Sequence, residues 1–217
     1  MKHIYCILIS NLIFISSYAQ LTTAEINHYL FPEFTEGVIL MKTGKKDVKL
    51  LNYNSLTEEM VFDNNGNKLA ISKGDLGRID TAFIKGRKFI ILNNKFVELL
   101  YHSKWDLYVE HKCDLKERGK DAGYGGTSQT SAINTPSAVY MEGNVYNLKL
   151  PDGFETKPYT YYWLKKNGEL KKFVNMKQLK KLYKDKKDLF NDYLEKHDVK
   201  YENHENIIQL IEHLELN

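Results

Sequence analysis

The chain has 217 residues, of which 42% are hydrophobic, and a formal net charge of +3 at pH 7. This length suits one domain of good size or two small ones. The near-neutral charge argues against nucleic acid as a partner, because proteins that bind it usually carry a pronounced basic excess.

The first nineteen residues are predicted to be a signal peptide for export. They begin with Lys2, continue with an apolar stretch over residues 4–15 and end with small residues up to Ala19. This stretch is shorter than the ~18–20 residues that span a bilayer, so we expect cleavage after Ala19 rather than a membrane anchor. Cleavage leaves 198 of the 217 residues, a net charge of +2 and one cysteine, Cys113, which excludes an intramolecular disulfide bond. The mature chain is expected to have no transmembrane segment.

Residues 37–115 alternate apolar and polar side chains in short runs. Runs such as VKLLNYN, RKFIIL and KFVELLY are separated by the turn signals NNGN, KG and NN. This pattern is typical of antiparallel strands joined as hairpins, and it predicts a β-meander of about eight strands that could close as a barrel. The stretch SLTEE has a Ser-x-x-Glu spacing from Ser55 to Glu58, but no helical run follows, so a tight corner between strands is predicted.

The second part of the chain changes character twice. A Gly/Ser/Thr-rich loop is predicted over 116–137, followed by β-hairpins over 138–174, the second being YTYYWLKKNGELKKFV. Over 175–217 the apolar residues recur at three- and four-residue steps, which predicts two helices, one over 176–194 and a shorter one over 207–214. We therefore predict a single α+β domain over 20–217, with an antiparallel β-meander first and two C-terminal helices packed against it.

A resemblance rests on several of these segments together. The N-terminal signal, the segments LNYNSLTEEMVFD and GYGGTSQTS, the hairpin KPYTYYWLKKNGELKKFV and the closing basic helix resemble a group of uncharacterised exported proteins from Gram-negative bacteria of the Bacteroidetes type. The resemblance covers nearly all of the mature chain. It implies residence in the periplasm or in association with the outer membrane, and it implies no activity or catalytic residues.

The glycine-rich stretch DAGYGGTSQTSAI is a candidate binding loop. A phosphate-binding loop needs a lysine and then Ser or Thr directly after its last glycine, but Gly126 is followed by Thr127 and no helical pattern comes next. A surface connection is the simpler interpretation. Because long loops in compact domains are often functional, its polar side chains are kept as candidate contacts, namely Tyr124, Thr127, Ser128, Gln129 and Thr130.

No catalytic, metal or cofactor site is predicted from the remaining residues. Cys113 lies two residues from His111, a spacing that places both on one face of a strand, and a small buried residue is the expected role of this cysteine. After cleavage six histidines remain, and none forms the His-Glu-x-x-His pair of a zinc helix; we expect surface histidines at His28, His102, His111, His197, His204 and His213.

A candidate partner surface is predicted near the C-terminus. Residues 164–187 hold ten lysines against two acidic residues, and an aromatic cluster precedes them. Basic helices contact anionic surfaces, and aromatic side chains carry binding energy at wet edges. The predicted surface consists of Tyr159, Tyr161, Tyr162, Trp163, Lys177, Lys180, Lys181 and Lys184.

Two functions fit these features. The first is a non-catalytic binding or interaction module of the cell envelope, whose partner is an envelope protein or an anionic envelope component. The alternative is a lipocalin-like barrel that carries a small apolar ligand. A carrier needs an enclosed apolar cavity, whereas a binding module needs a filled interior and an exposed aromatic or basic patch. An enzyme built on the glycine-rich loop would require titratable groups that converge on that loop.

Overall fold

The computed structural model describes residues 28–117, 120–122, 126–128 and 154–217. The predicted signal peptide and the first of the predicted hairpins, over 138–150, lie outside the described residues. Among the described residues, no helix is long and apolar enough to cross a membrane.

Eight antiparallel strands lie between Thr35 and Glu117, which confirms the predicted number. They are β1 (Thr35–Met41), β2 (Lys46–Asn54), β3 (Glu59–Asn64), β4 (Asn67–Ala70), β5 (Ile79–Ile84), β6 (Arg87–Leu92), β7 (Lys95–His102) and β8 (Trp105–Glu117). The meander is interrupted once, because β5 pairs with β1 rather than with β4. A one-turn helix, α1 (Lys73–Leu76), lies in the connection from β4 to β5.

The hairpin turns follow from local sequence. In Asn65–Gly66, Lys85–Gly86, Asn93–Asn94 and Asn167–Gly168 both residues have a positive φ. This is the requirement of a type I′ turn, whose twist matches that of the flanking strands, and glycine and asparagine adopt it at the least cost. The predicted corner is also present: Glu58 has a φ of 59°, and the Asn54 side chain accepts hydrogen bonds from the backbone of Leu56 and Thr57.

Two further strands complete the main sheet. β8 pairs along its length with β11 (Phe154–Lys166), which turns back into β12 (Glu169–Phe173). The ten-stranded sheet has the order β12-β11-β8-β7-β6-β5-β1-β2-β3-β4 and curls into a half-barrel. It is open in the described part of the chain, with β12 and β4 at its edges, so the barrel that the meander could have formed is not closed.

The predicted loop over 116–137 is partly wrong. β8 continues to Glu117, and β9 (Lys120–Ala122) pairs with β10 (Gly126–Ser128) as a separate two-stranded ribbon. Such short strands lack the apolar alternation on which the sequence prediction depended.

Three C-terminal helices follow the strands, not the predicted two: α2 (Met176–Leu182), α3 (Lys187–Lys196) and α4 (His204–Leu216). A 3-10 turn, Lys184–Lys186, separates α2 from α3. The break falls where KDKKD offers no apolar residue to bury. Strands first and helices last is the predicted order, although the described chain is mostly β.

Two hydrophobic clusters lie on the same face of the sheet, here called the inner face. The first, here called the N-terminal cluster, includes Leu51, Tyr53, Met60 and Phe89. The second, the helix-side cluster, packs β8, β11 and β12 against the helices; among its members are Leu107, Tyr162, Phe173, Leu179, Phe190, Leu210 and Leu214. Burial of these side chains is the main stabilising term of the fold.

Candidate functional site

An aromatic row occupies the outer face of β11. Successive side chains of a strand point to opposite faces, so Tyr159, Tyr161 and Trp163 share one face while Tyr162 and Leu164 share the other. Tyr162 and Leu164 pack in the helix-side cluster. The first three, called the outer row, are half-buried, and the rings of Tyr159 and Tyr161 meet edge to face at 5.3 Å.

Charged side chains fix the outer row from the neighbouring strands. The ammonium of Lys172 lies 4.4 Å from the ring centre of Tyr161 and 5.1 Å from that of Trp163. The Trp163 indole donates to Oε1 of Glu110 at 2.6 Å, and Lys172 donates to Oε2 at 3.1 Å. The Glu110 side chain is 9% exposed. A buried carboxylate is costly unless hydrogen-bond donors satisfy it, so both bonds to Glu110 are favoured. They fix the positions of the indole and the ammonium.

A second carboxylate ties the row to the far side of the curled sheet. Glu58, in the corner between β2 and β3, accepts hydrogen bonds from Lys95 of β7 at 2.6 Å and from Lys112 of β8. Burial alone would raise the pKa of Glu58, but the hydrogen bonds from Lys112 and Lys95 outweigh it and lower the pKa. Lys112 also lies 5.6 Å from the ring centre of Tyr161. The corner between β2 and β3 is therefore linked to the outer row through Lys112.

The lysines of the predicted partner surface lie elsewhere. Lys177, Lys181 and Lys184 are exposed, and Lys180 is half-buried and donates to Oδ1 of Asn191. These residues belong to α2 and the turn after it, which pack on the inner face of β11, so they lie on the opposite side of the sheet from the outer row.

Tyr162 is not a surface residue, and its assignment to the partner surface is wrong. Its side chain is fully buried, with 0% exposure, and it stacks on Phe173 at 5.2 Å. The two-residue period of a strand separates it from its neighbours Tyr161 and Trp163.

The candidate binding loop is described only in part. Thr127 and Ser128 belong to β10, where their backbone pairs with Asp121 and Lys120. Tyr124, Gln129 and Thr130 lie outside the described residues. The role of this stretch in binding stays a prediction.

A polar network that the sequence did not predict lies on the inner face, between the two hydrophobic clusters. Glu98 of β7 accepts hydrogen bonds from Nε and Nη2 of Arg87, the former at 2.6 Å, and lies 2.6 Å from Nε2 of His111. Burial would raise the pKa of Glu98, but the hydrogen bonds from Arg87 and His111 hold it at about 2. Burial lowers the pKa of His111. We call these residues, with His204 and Tyr162, the inner network.

His204 joins the inner network from the start of α4. Its Nδ1 lies 2.7 Å from the hydroxyl of Tyr162, and its ring meets that of His111 at 5.7 Å. The Tyr162 hydroxyl also donates to the backbone carbonyl of Tyr201 at 3.0 Å, so it accepts from Nδ1–H of a neutral His204. Burial, followed by the nearby His111, lowers the pKa of His204 to about 4. Glu98, the Tyr162 hydroxyl and Nδ1 of His204 thus each have a hydrogen-bond partner within the network.

The histidine predictions are partly wrong. His28 and His111 are buried, His204 and His213 are half-buried, and His102 and His197 are exposed. A signal was present for His111 and Glu98, because each occupies an inward position between apolar neighbours of a strand. The prediction for Cys113 is confirmed: it is buried at 4% exposure, and burial raises its pKa to about 11, which disfavours the reactive thiolate.

No family model, no curated protein and no solved structure matches the chain. Within the described residues, no group of three or more His, Cys, Asp or Glu side chains is placed to hold a metal ion. The resemblance to exported proteins of the Bacteroidetes type stays a prediction.

Proposed function

We propose that the protein is an exported, non-catalytic binding protein of the cell envelope, in the periplasm or associated with the outer membrane, and that the outer row contacts its partner. The proposal depends chiefly on one observation. Three aromatic side chains stand half-buried in a line on the outer face of β11, with charged groups already positioned around them.

The geometry of the outer row supports a binding role. Aromatic side chains dominate the binding energy of protein interfaces, because they bury a large area and lose little conformational entropy. Lys172 and Glu110 restrict Tyr161 and Trp163 before any partner arrives, which lowers the entropic cost of association.

The charges around the row favour a protein partner over a purely anionic surface. Lys95, Lys112 and Lys172 are opposed by Glu58 and Glu110, so the local charge is close to balanced. An anionic membrane or polysaccharide would favour an excess of unpaired lysines instead.

The interior supports a binding module more than a carrier. A lipocalin-like carrier needs a hollow barrel around its ligand. In the described part of the chain the sheet is open, and its inner face is filled by side chains such as Leu51, Tyr53, Met60 and Phe89, each 0–1% exposed. The inner network is also accounted for without catalysis, because structural ion-pair networks perturb pKa values as active sites do.

The proposal is tested by photo-crosslinking at two matched lysines. Lys157 is exposed and shares the face of the outer row, whereas Lys181 is exposed on α2, on the other side of the sheet. A photoreactive residue at position 157, expressed in the native envelope, should yield a covalent product with a protein of defined mass. The same residue at position 181 should not.

The control excludes nonspecific capture. Adding Trp163→Ala to the position-157 variant should abolish the product, because the indole is a central contact. The proposal fails if both positions yield the same products, or if the product at position 157 survives the loss of Trp163.

A further inference from the structure

A pocket of about 360 Å³ lies on the helix side of the sheet. The turn between β11 and β12 forms one wall, and the end of α2 with the 3-10 turn forms the other. All of its lining residues fall within the lysine-rich segment 164–187, which therefore folds back on itself around a space. The volume is at the lower end of the range of small-molecule sites.

The base of the pocket is apolar. Leu164 and Tyr183 line it and are 5% and 6% exposed, and the half-buried Leu182 adds to the same surface. Such a base favours a short alkyl or aryl group over a fully hydrated one.

Three lysines line the pocket, Lys166, Lys171 and Lys186. Lys166 donates to Glu215 at 2.8 Å, and Lys186 donates to the backbone carbonyl of Leu214, so both are anchored at the end of α4. The Tyr183 hydroxyl donates to the same Glu215 carboxylate at 2.7 Å. Each ammonium has three N–H donors, so anchoring by one acceptor leaves donors for a bound anion.

Two carboxylates lower the net charge of the lining. Glu169 pairs with Lys171 at 2.6 Å, and Asp185 lies beside Lys186 in the sequence. Glu215, which accepts from Lys166 and Tyr183, is a third carboxylate beside the pocket, so the three lysines are balanced in formal charge. An anionic head is therefore recognised by the N–H donors that these contacts leave available, rather than by an excess of positive charge.

We infer that this pocket binds a small amphipathic anion, with one phosphate or carboxylate head at the lysines and a short apolar body on Leu164, Leu182 and Tyr183. The head is recognised by charge-assisted hydrogen bonds, which are stronger than neutral ones. The site is independent of the outer row, because Leu164 and the outer row occupy opposite faces of β11.

The probe is hexyl phosphate, with binding to the protein measured by isothermal titration calorimetry. Inorganic phosphate supplies the head alone and 1-hexanol the body alone, and both should bind at least about tenfold more weakly than hexyl phosphate. Lys186→Gln and Lys171→Gln should each weaken hexyl phosphate binding about tenfold, since each removes a charged hydrogen bond.

Matched controls separate the pocket from the general basic field. Lys177→Gln and Lys181→Gln remove the same charge from exposed positions outside the pocket and should change the affinity less than twofold. Lys186→Arg, which keeps the charge, should retain binding even if Lys186→Gln loosens the fold. The inference is wrong if hexyl phosphate does not bind, or if the control substitutions weaken binding as much as those in the pocket.

Vesicles distinguish the source of the head group. If phosphatidylglycerol vesicles bind, phosphatidylcholine vesicles do not, and Lys186→Gln abolishes the difference, the ligand is a lipid headgroup. Binding of hexyl phosphate without binding of either vesicle indicates a free metabolite. If vesicles bind equally well to the Lys186→Gln variant and hexyl phosphate does not bind, the inference that the pocket binds an amphipathic anion is wrong.

Discussion

Two buried carboxylates, Glu98 and Glu110, lie on opposite faces of the same part of the sheet, and their partners differ. Glu98 accepts from Arg87 and His111 between the two hydrophobic clusters. Glu110 accepts from Trp163 and Lys172, whose side chains reach the surface. The first carboxylate therefore holds the interior together, whereas the second positions groups that a partner can contact.

The largest loss of stability is expected from substitution of Glu98. Glu98→Ala leaves Arg87 and His111 without their carboxylate in a buried setting, and we expect a loss of about 3–5 kcal/mol in the free energy of unfolding. Urea denaturation measures it. Glu36→Ala, at an exposed position of β1, is the control and should stay within about 0.5 kcal/mol of the parent. A loss below about 1 kcal/mol for Glu98→Ala would show that the inner network contributes little.

Removal of the Tyr162 hydroxyl is expected to cause the second-largest loss of stability. Tyr162→Phe keeps the stacked ring but removes the hydrogen bonds to Tyr201 and His204, and we expect a loss of about 1–3 kcal/mol in the free energy of unfolding. Tyr193→Phe in α3, outside the network, is the comparison. Equal losses in the two variants would argue against a special role for the inner network.

Lowering the pH from about 6.5 to about 4 should lower the free energy of unfolding, because of His204 in the inner network. The pKa of His204 is about 4 in the folded protein against 6.5 ordinarily, so between these values the unfolded chain takes up a proton that the folded chain does not. Stability is then complete above about pH 6.5 and falls as the pH drops toward 4, by about 1–2 kcal/mol after allowance for partial exposure. Glu98 adds to the loss below pH 4.5, because its folded pKa is about 2.

The test compares His204→Gln with the parent by urea denaturation at about pH 7 and about pH 5. The variant should lose less stability than the parent between the two pH values. An unchanged pH dependence would mean that His204 does not titrate as its surroundings imply.

The smallest effect on stability is expected on the outer face. Tyr161→Ala removes a half-buried ring with Lys172 and Lys112 beside it, and should lower the free energy of unfolding by about 1 kcal/mol. The same change should remove most of the cross-linked product at position 157. A stability loss as large as that of Glu98→Ala would show that Tyr161 contributes to the fold as strongly as the inner network does.

Local signals predicted much of the fold, and non-local contacts account for the rest. Adjacent residues are enough to predict the turns at Asn65–Gly66 and Asn167–Gly168 and the alternation of β6 and β7. The pairing of β5 with β1 has no such signal, and neither does the break after α2, which depends on what Tyr183 and Lys186 contact.

The candidate site shows the same division. Tyr161 and Trp163 could be found as an aromatic cluster, and the two-residue period of a strand would have separated Tyr162 from them. The same period marks Glu98 and His111 as inward-facing, but it does not show that they meet. Arg87, Glu98 and His111 come from three strands and are brought together only by the register of the sheet.

The neighbours Tyr161 and Tyr162 give the most direct test of the account. Stability and the yield of the cross-link at position 157 are measured for Tyr161→Ala and Tyr162→Phe, at a temperature where both variants are folded. We expect Tyr161→Ala to lose the cross-link and keep most of its stability, and Tyr162→Phe to lose stability and keep the cross-link. The reverse pattern, or equal loss of the cross-link in both variants, would contradict the assignment of binding to the outer row.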